Sequence, residues 1–554
     1  MDILILIFTF LFTSLLRLAF GTVDNSDQWV SFWLIERQRH RRWITYRARD
    51  SIVDGTFDYP SLQHFLISRL PKRSWGIAGR LTNIAYDLII AACVYWLTWR
   101  LSRVVAPDLT IASLSVPTAA TILFLTTPAL LPTTARLLAG NGRAMGMMWA
   151  VLYLIALQEA LITGAWWLFA IAVVLAQFVI LTSMFAIQVA LFFSIFVAIY
   201  LLSPAPLIVA AAWILLGLLF PAAGTRPALL FMWNHKLWYL RNYRKGTTAS
   251  ERNRRRDVLQ LPAQLFTNPK KFIRFSTSKI TPIIGLLSAP LAFLLLIVWL
   301  VNPLFRDLLN GRADAHVLLG IALASIAMFA LTSFPLLNSF GEAERYFEYS
   351  AYAFSVFGAC LIARWEPSLR DSVFWLLLLG HLAVICYNFL ALRLTELWRA
   401  RAPAPPALEH LLAWCEQSID AARILTVPCK LGFLLSARLN RGRSPRFFLY
   451  HRFIQRPGER GFRYCEQDTG GMIEKNDVWM ESKEVFRREP ADLAREYNVT
   501  HFVIERKYIK GLMKTWGAEP GDIFGPPIFE NSGYLMYAVP EALRSSSSAV
   551  GASR

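Results

Sequence analysis

Immediately after an apolar N-terminal run comes Val23-Asp24-Asn25-Ser26-Asp27-Gln28-Trp29, and then Phe32, Trp33, Leu34 and Ile35 lead into Arg37, Arg39, Arg41 and Arg42. Aromatic residues favour the headgroup level of a bilayer and arginines favour lipid phosphates, so this pattern predicts a helix lying in the membrane interface. Its N-terminus would hold Asp24 and Asp27 at the depth where a lipid-borne substrate presents its phosphate. The positive end of the helix dipole favours an ionised carboxylate, the state a general base requires. The plainer account is that Asp24, Asn25, Ser26 and Asp27 only cap the helix. Farther on, Asp54-Gly55-Thr56-Phe57-Asp58-Tyr59-Pro60 adds two more carboxylates, in a pattern that a simple turn also explains.

The elements that must position these groups are membrane helices. The chain has 554 residues, 55% hydrophobic and only 17% charged, with a mean hydropathy of +0.41. That apolar content exceeds what a soluble globule uses. A spanning helix needs about 20 mostly apolar residues, because each backbone amide must be satisfied within the segment. Spans are predicted near 3–20, 81–101, 108–132, 146–162, 165–182, 184–202, 204–222, 281–301, 316–334, 348–364 and 372–393, about eleven in all. Asp2 stands where a signal peptide would be basic, and no small-x-small cleavage site follows, so 3–20 is taken as the first span.

The formal charge of +19 sits in loops between apolar spans, which points to anionic lipid or a phosphate-bearing substrate and away from nucleic acid. Short loops with Arg100, Arg103, Arg306, Arg312, Arg364 and Arg370 mark one side as cytoplasmic; the other side's short loops have only Arg136, Arg143 and Arg345. The long basic loops, 21–80 and 223–280, and Arg17 at the outer end of the first span weigh against that orientation. The six cysteines show no CxxC or Cys/His spacing, so neither a metal site nor a disulfide framework is expected.

Near Ala400 the composition changes. Ala402-Pro403-Ala404-Pro405-Pro406 forms a stiff linker, and no later run is long enough to span. Strands are predicted at Arg423–Val427, Arg446–Tyr450, His501–Glu505 and Tyr534–Ala538, with a helix over Pro490–Tyr497. The expected architecture is an α-helical polytopic membrane domain, 1–396, followed by a small soluble α/β domain, 407–544.

The order of an apolar first helix, Asp27-Gln28-Trp29, then Asp58-Tyr59-Pro60 with Leu62, His64 and Phe65, resembles bacterial membrane glycosyltransferases of the GT-C superfamily. These are the relatives of protein O-mannosyltransferases and lipid A aminoarabinose transferases. Gly140-Asn141-Gly142-Arg143-Ala144-Met145-Gly146 and Phe340-Gly341-Glu342-Ala343-Glu344-Arg345-Tyr346-Phe347-Glu348-Tyr349, each before a helix, fit the same group. The resemblance implies a multi-pass protein of the bacterial inner membrane with both long loops and the tail outside. It implies inverting transfer of a sugar from a polyprenyl-phosphate donor to an extracytoplasmic acceptor.

In such families an acid of the first outer loop serves the transfer, and the matching residue here is Asp27, with Asp24 as its competitor. Two residues separate them, a departure from the usual paired acids that leaves a divalent metal open as a cofactor. Arg143 and Arg345 are the candidates for a cationic clamp on the leaving phosphate, since guanidinium binds phosphate oxygens in a bidentate way. Helix-end arginines reaching headgroups are the equal alternative. Asp58 and Glu342 complete the candidate substrate-binding set, and helix-end ion pairing accounts for Glu342, Glu344 and Glu348 equally well. The competing readings are a transporter or lipid flippase, and a non-catalytic membrane scaffold. Neither repeated halves nor a mid-span acidic pair supports a transporter.

Overall fold

The structure, a computed structural model, describes residues 2–19, 26–39, 46–47, 51–52, 56–57, 60–128, 130, 142–220, 224–242, 263, 266–268, 309, 312–334, 337, 340–341, 343–399, 405–429, 431–439, 445–449, 454–455 and 489–545. In chain order the helices are α1 (Asp2–Ala19), α2 (Ser26–Gln38), α3 (Leu62–Ser68), α4 (Trp75–Val105), α5 (Val116–Leu125), α6 (Arg143–Thr163), α7 (Trp166–Thr182), α8 (Met184–Leu201), α9 (Ala205–Leu219) and α10 (Thr225–Asn242). Then follow α11 (Ala313–Thr332), α12 (Arg345–Ala363), α13 (Pro367–Arg399), α14 (Pro405–Ser418), α15 (Leu431–Arg438), α16 (Pro490–Tyr497), α17 (Ile509–Trp516), α18 (Pro520–Phe524) and α19 (Glu541–Ser545). The chain divides into two compact units: Met1–Val23, Pro60–Leu230 and Ala249–Leu397 form one, and Asp24–Tyr59, Phe231–Thr248 and Trp398–Arg554 the other.

The first unit is helical. Among the described residues, five helices are long and apolar enough to cross a membrane, over Lys72–Val105, Arg143–Thr163, Met184–Leu201, Ala313–Thr332 and Pro367–Tyr387; Val116–Leu125, Trp166–Thr182 and Ala205–Leu219 are shorter apolar helices. Every expected span overlaps a helix except 281–301, which lies outside the described residues. The central element is α12, buried from Tyr346 to Ala363 and packed by α4, α5, α6 and α11. A helix enclosed on all sides has no solvent face to show, and between Tyr346 and Ala363 its one charged residue is Glu348. At the periphery, Ile3, Leu4 and Phe8 of α1 and Leu376 and Leu379 of α13 point outward, the surface a bilayer solvates.

The expected span 108–132 is corrected. Thr110–Ile111 (β3) and Leu114–Ser115 (β4) form a small antiparallel hairpin, turned through Ala112 and Ser113 at φ +50° and +64°, and the helix starts only at Val116. Two carboxylates hold this hairpin: Asp2 accepts from the Ser115 amide at 2.9 Å, and Asp371 from the Ala112 amide at 2.8 Å. Leu109, Ile111 and Leu114 are apolar enough to imitate a helix; the partners that fold them otherwise are distant in sequence. Arg17 likewise does not stand as a loose charge. Its guanidinium donates to Asp87 at 2.5 Å and to the Leu130 carbonyl at 3.1 Å.

The second unit contains a five-stranded mixed sheet built from β5 (Arg423–Val427), β6 (Arg446–Phe447), β8 (His501–Glu505), β9 (Phe529–Glu530) and β10 (Tyr534–Ala538), in the order β6-β5-β8-β10-β9. β5 runs parallel to β6 and β8, while β10 is antiparallel to β8 and β9. Successive strand residues face opposite sides. Ile424, Val503 and Met536 enter one core, with α14 and α15 residues such as Leu411 and Phe433. Leu425, Phe502 and Leu535 enter the other, with Leu493 of α16 and Trp516 of α17. The four strands and the helix expected in the tail are present, β6 being shorter than anticipated. A second, three-stranded sheet joins β1 (Tyr46–Arg47), β2 (Thr56–Phe57) and β7 (Ile454–Gln455) in the order β1-β2-β7.

Candidate functional site

The glycines around Arg143 explain how its helix is placed. A Cβ on Gly142 would lie 2.6 Å from the Thr182 carbonyl oxygen, and one on Gly146 only 2.5 Å from Ser183 Cβ. Without side chains there, the first turn of α6 lies directly against the break between α7 and α8. Ser183 has extended backbone at that break, and its hydroxyl caps α8 by accepting from the Ala186 amide at 3.5 Å. Gly341, at φ +123°, brings the entry to α12 onto the first turn of α8, since a Cβ would meet Phe185 Cε2 at 2.5 Å. The starts of α6, α8 and α12 therefore gather at one end of the helical unit. Helix starts carry partial positive charge, so this end favours anions.

The side chains at these starts interlock. Arg143 Nε donates to Glu348 Oε2 at 3.0 Å and Arg143 Nη2 donates to Glu348 Oε1, a bidentate pair. Both residues are sealed, 7% and 3% exposed. Glu348 occupies the first turn of α12, where the dipole adds to its stabilisation by Arg143. Arg345 places its guanidinium carbon 5.5 Å from the centre of the Phe185 ring, a cation–π contact. Tyr346 and Tyr349 pack on the same ring at 5.0 and 5.5 Å. Tyr349 lies within electrostatic reach of Glu348, Arg143 and Arg345. The structure thus brings Arg143 and Arg345 into one cluster, with Arg143's fork occupied by Glu348 and Arg345 half-buried beside it.

The short helix α3, which follows Asp58-Tyr59-Pro60, adjoins this end. Its Gln63 donates to the Thr82 hydroxyl at 3.0 Å and accepts from the Tyr86 hydroxyl at 2.7 Å, and its Cβ would be 3.7 Å from a side chain placed on Gly142. His64 is 3% exposed, and burial pushes its imidazole down to about 4, so it is neutral at physiological pH.

Asp27 lies in the first turn of α2, in the second unit. Asp24, Asp54, Asp58 and Glu342 lie outside the described residues. The apolar face of α2 differs from the interfacial expectation. Val30, Trp33 and Leu34 are buried in the same core as Leu411, Leu431 and Phe433, and the Trp33 ring meets the Phe433 ring edge-on at 5.1 Å. The amphipathic pattern was correctly legible, but its partner is protein. Among the described residues, no group of three or more His, Cys, Asp or Glu gathers to hold a metal ion.

Phe185 and Gln63 were not singled out from sequence, nor was Glu348 as the partner of Arg143. The available signals were the Thr182-Ser183 interruption of a long apolar run and the four-residue spacing of Gly142 and Gly146.

Over 94% of its length the chain superimposes on 71% of the apo crystal structure of the Archaeoglobus fulgidus oligosaccharyltransferase, with a TM-score of 0.51 and 14% identity. The chain shares its fold with that archaeal protein. The mostly helical architecture expected from the sequence is met at this level. Structures of the same archaeal protein with Zn and sulfate, and with an inhibitory peptide and a dolichol-phosphate, align at a TM-score of 0.49. They share 13% and 12% identity, over 96% and 92% of this chain and 74% and 71% of theirs. No protein-family model and no curated protein sequence matches.

Proposed function

We propose that this oligosaccharyltransferase-like protein is a membrane glycosyltransferase that moves a sugar from a polyprenyl-phosphate-linked donor to an extracytoplasmic acceptor, with inversion at the anomeric carbon. The observation that carries the reading is the likeness in fold, which extends over 94% of the chain and so takes in the tail as well as the helices. The setting is the bacterial inner membrane, with anionic lipids around the basic loops and the tail outside.

In this mechanism an acceptor hydroxyl attacks the anomeric carbon from the face opposite the phosphate. Its proton passes to the carboxylate of Asp27, with Asp24 as the alternative base. The bond between the anomeric carbon and the phosphate oxygen breaks, and the electron pair leaves with polyprenyl phosphate. Arg345, among three helix starts, meets that developing charge. Arg143, held by Glu348, braces the helix starts, while Asp58 and Glu342 accept hydrogen bonds from sugar hydroxyls.

The test is release of label from a panel of radiolabelled undecaprenyl-phosphate sugars in reconstituted vesicles supplied with membrane extract as acceptor. Asp27→Asn keeps the shape and removes the base, and is expected to slow release by about 10²-fold or more. A parental rate moves the base to Asp24. If Asp24→Asn, Asp54→Asn and Asp58→Asn are also fully active, the first loop has no chemical role and the reading fails.

A further inference from the structure

The first loop does not stand apart from the tail; within the second unit it is attached to it three times. At its start, α2 packs along α15: Trp33 meets Phe433, and Arg37 Nη2 donates to the Ser436 carbonyl and hydroxyl at 3.1 and 2.8 Å. In its middle, Ser51 bridges Phe447 in parallel and the Ile52 amide donates to the Phe447 carbonyl at 2.8 Å, extending the main sheet beyond β6. Near its end, β2 pairs antiparallel with β7, Thr56 opposite Gln455 and Phe57 opposite Ile454. These attachments fall directly after Asp24 and Asp27, before Asp54, and between Asp54 and Asp58. A loop of this length closed only at its two membrane ends would leave its carboxylates free to wander. Three points of attachment, one of them with a fully buried tryptophan, restrict that freedom.

We infer that the tail is the positioning platform of the first loop, and that Trp33, Arg37 and Ser436 are positioning residues that set where Asp27 stands. The inference rests on the reading of Asp27 as the base. It assigns the tail a part in turnover without giving it a reacting group, because small displacements of a base from its proton cost large factors in rate.

Two measurements on the full chain in vesicles test it. The first needs no activity: Thr56→Cys with Gln455→Cys, which stand directly opposite each other across β2 and β7, should form a disulfide on mild oxidation, identified by mass spectrometry, and failure to form it overturns the platform. The second follows release of label from the undecaprenyl-phosphate sugar panel. Arg37→Ala is expected to lower kcat about 10-fold, with KM for the lipid-linked sugar within about twofold, and Arg37→Lys to recover part of the loss. Combining Arg37→Ala with Ser436→Ala should cost no more than Arg37→Ala alone, since both remove one contact. If Arg37→Ala turns over at the parental rate while Asp27→Asn is inactive, the platform is overturned and the base stands. If Asp27→Asn is fully active, the base assignment falls, and the disulfide still reports separately whether the tail holds the loop.

Discussion

In the helical unit, charged pairs are sealed inside and apolar side chains face out: Arg17 is held by Asp87 and Arg143 by Glu348, while Ile3, Leu4, Phe8 and Leu376 are exposed. In the α/β unit the arrangement is reversed. Apolar residues fill both faces of the sheet, and pairs such as Arg438–Glu409 and Arg495–Asp492 sit at the surface with 42–57% of each side chain exposed. Surface pairs exchange readily with water and contribute little. A buried pair has no such exchange, so losing one partner strands the other in a poor dielectric. The difference locates where single substitutions should hurt: at charges in the first unit and at large apolar groups in the second.

The sharpest break is expected at Glu348. Glu348→Ala leaves Arg143 buried without its fork partner and should destabilise the helical unit by about 3–5 kcal/mol, read as a fall in thermal unfolding temperature in detergent. Arg143→Met combined with Glu348→Leu should recover much of that loss. By contrast, Glu409→Ala at the surface of the α/β unit should change stability by about 0–1 kcal/mol. Equal effects at the two sites would erase the distinction between the units.

The counterpart in the α/β unit is Trp33→Ala, which empties a fully buried site against Phe433 and should cost about 3–5 kcal/mol. It also bears on whether the tail is complete by itself. A fragment starting near Ala407 lacks Val30, Trp33 and Leu34, and so exposes Phe433, Leu431 and Leu411 on one face. Its denaturation midpoint should therefore lie below that of the same fragment fused to residues 24–59.

His64 gives a pH-dependent test. Its imidazole is pushed from 6.5 to about 4 by burial, so the unfolded chain takes up a proton more readily than the folded one. The stability this provides is complete above pH 6.5, falls as pH drops, and levels off below about 4, a loss of about 3 kcal/mol across the window. His64→Asn should flatten that part of the stability profile; an unchanged slope would show that His64 is not sealed.

Smaller effects than these are expected from backbone approach. Gly146→Ala places a methyl against Ser183 and should cost about 1–3 kcal/mol. Gly164→Ala meets nothing within 4 Å and bears only its left-handed φ of +68°, so about 1 kcal/mol is expected. The two can be ranked by thermal unfolding in the same detergent.

Much of this was legible in one dimension because the physics behind it is local. Helices such as α7, α8 and α11 follow from the need to satisfy backbone amides within an apolar stretch, and the alternation in Arg423–Val427, His501–Glu505 and Tyr534–Ala538 follows from the strand period of two. The amphipathic run after Asp27 also announced a helix with one apolar face. What covers that face was not announced, because a bilayer and a protein core ask for the same side chains. Only the tertiary structure seats Trp33 on Phe433, a residue 400 positions away in the chain. Likewise, Arg143 and Arg345 advertise positive charge, but a charge gains its partner by proximity in space. Glu348, brought to Arg143 by glycines that let helix starts touch, occupies its fork. The apolar residues of 108–115 named a helix, and two distant carboxylates, Asp2 and Asp371, made a hairpin instead. Periodicity and composition are properties of neighbours in sequence; pairing of charges, sharing of a core and closure of a loop depend on neighbours in space.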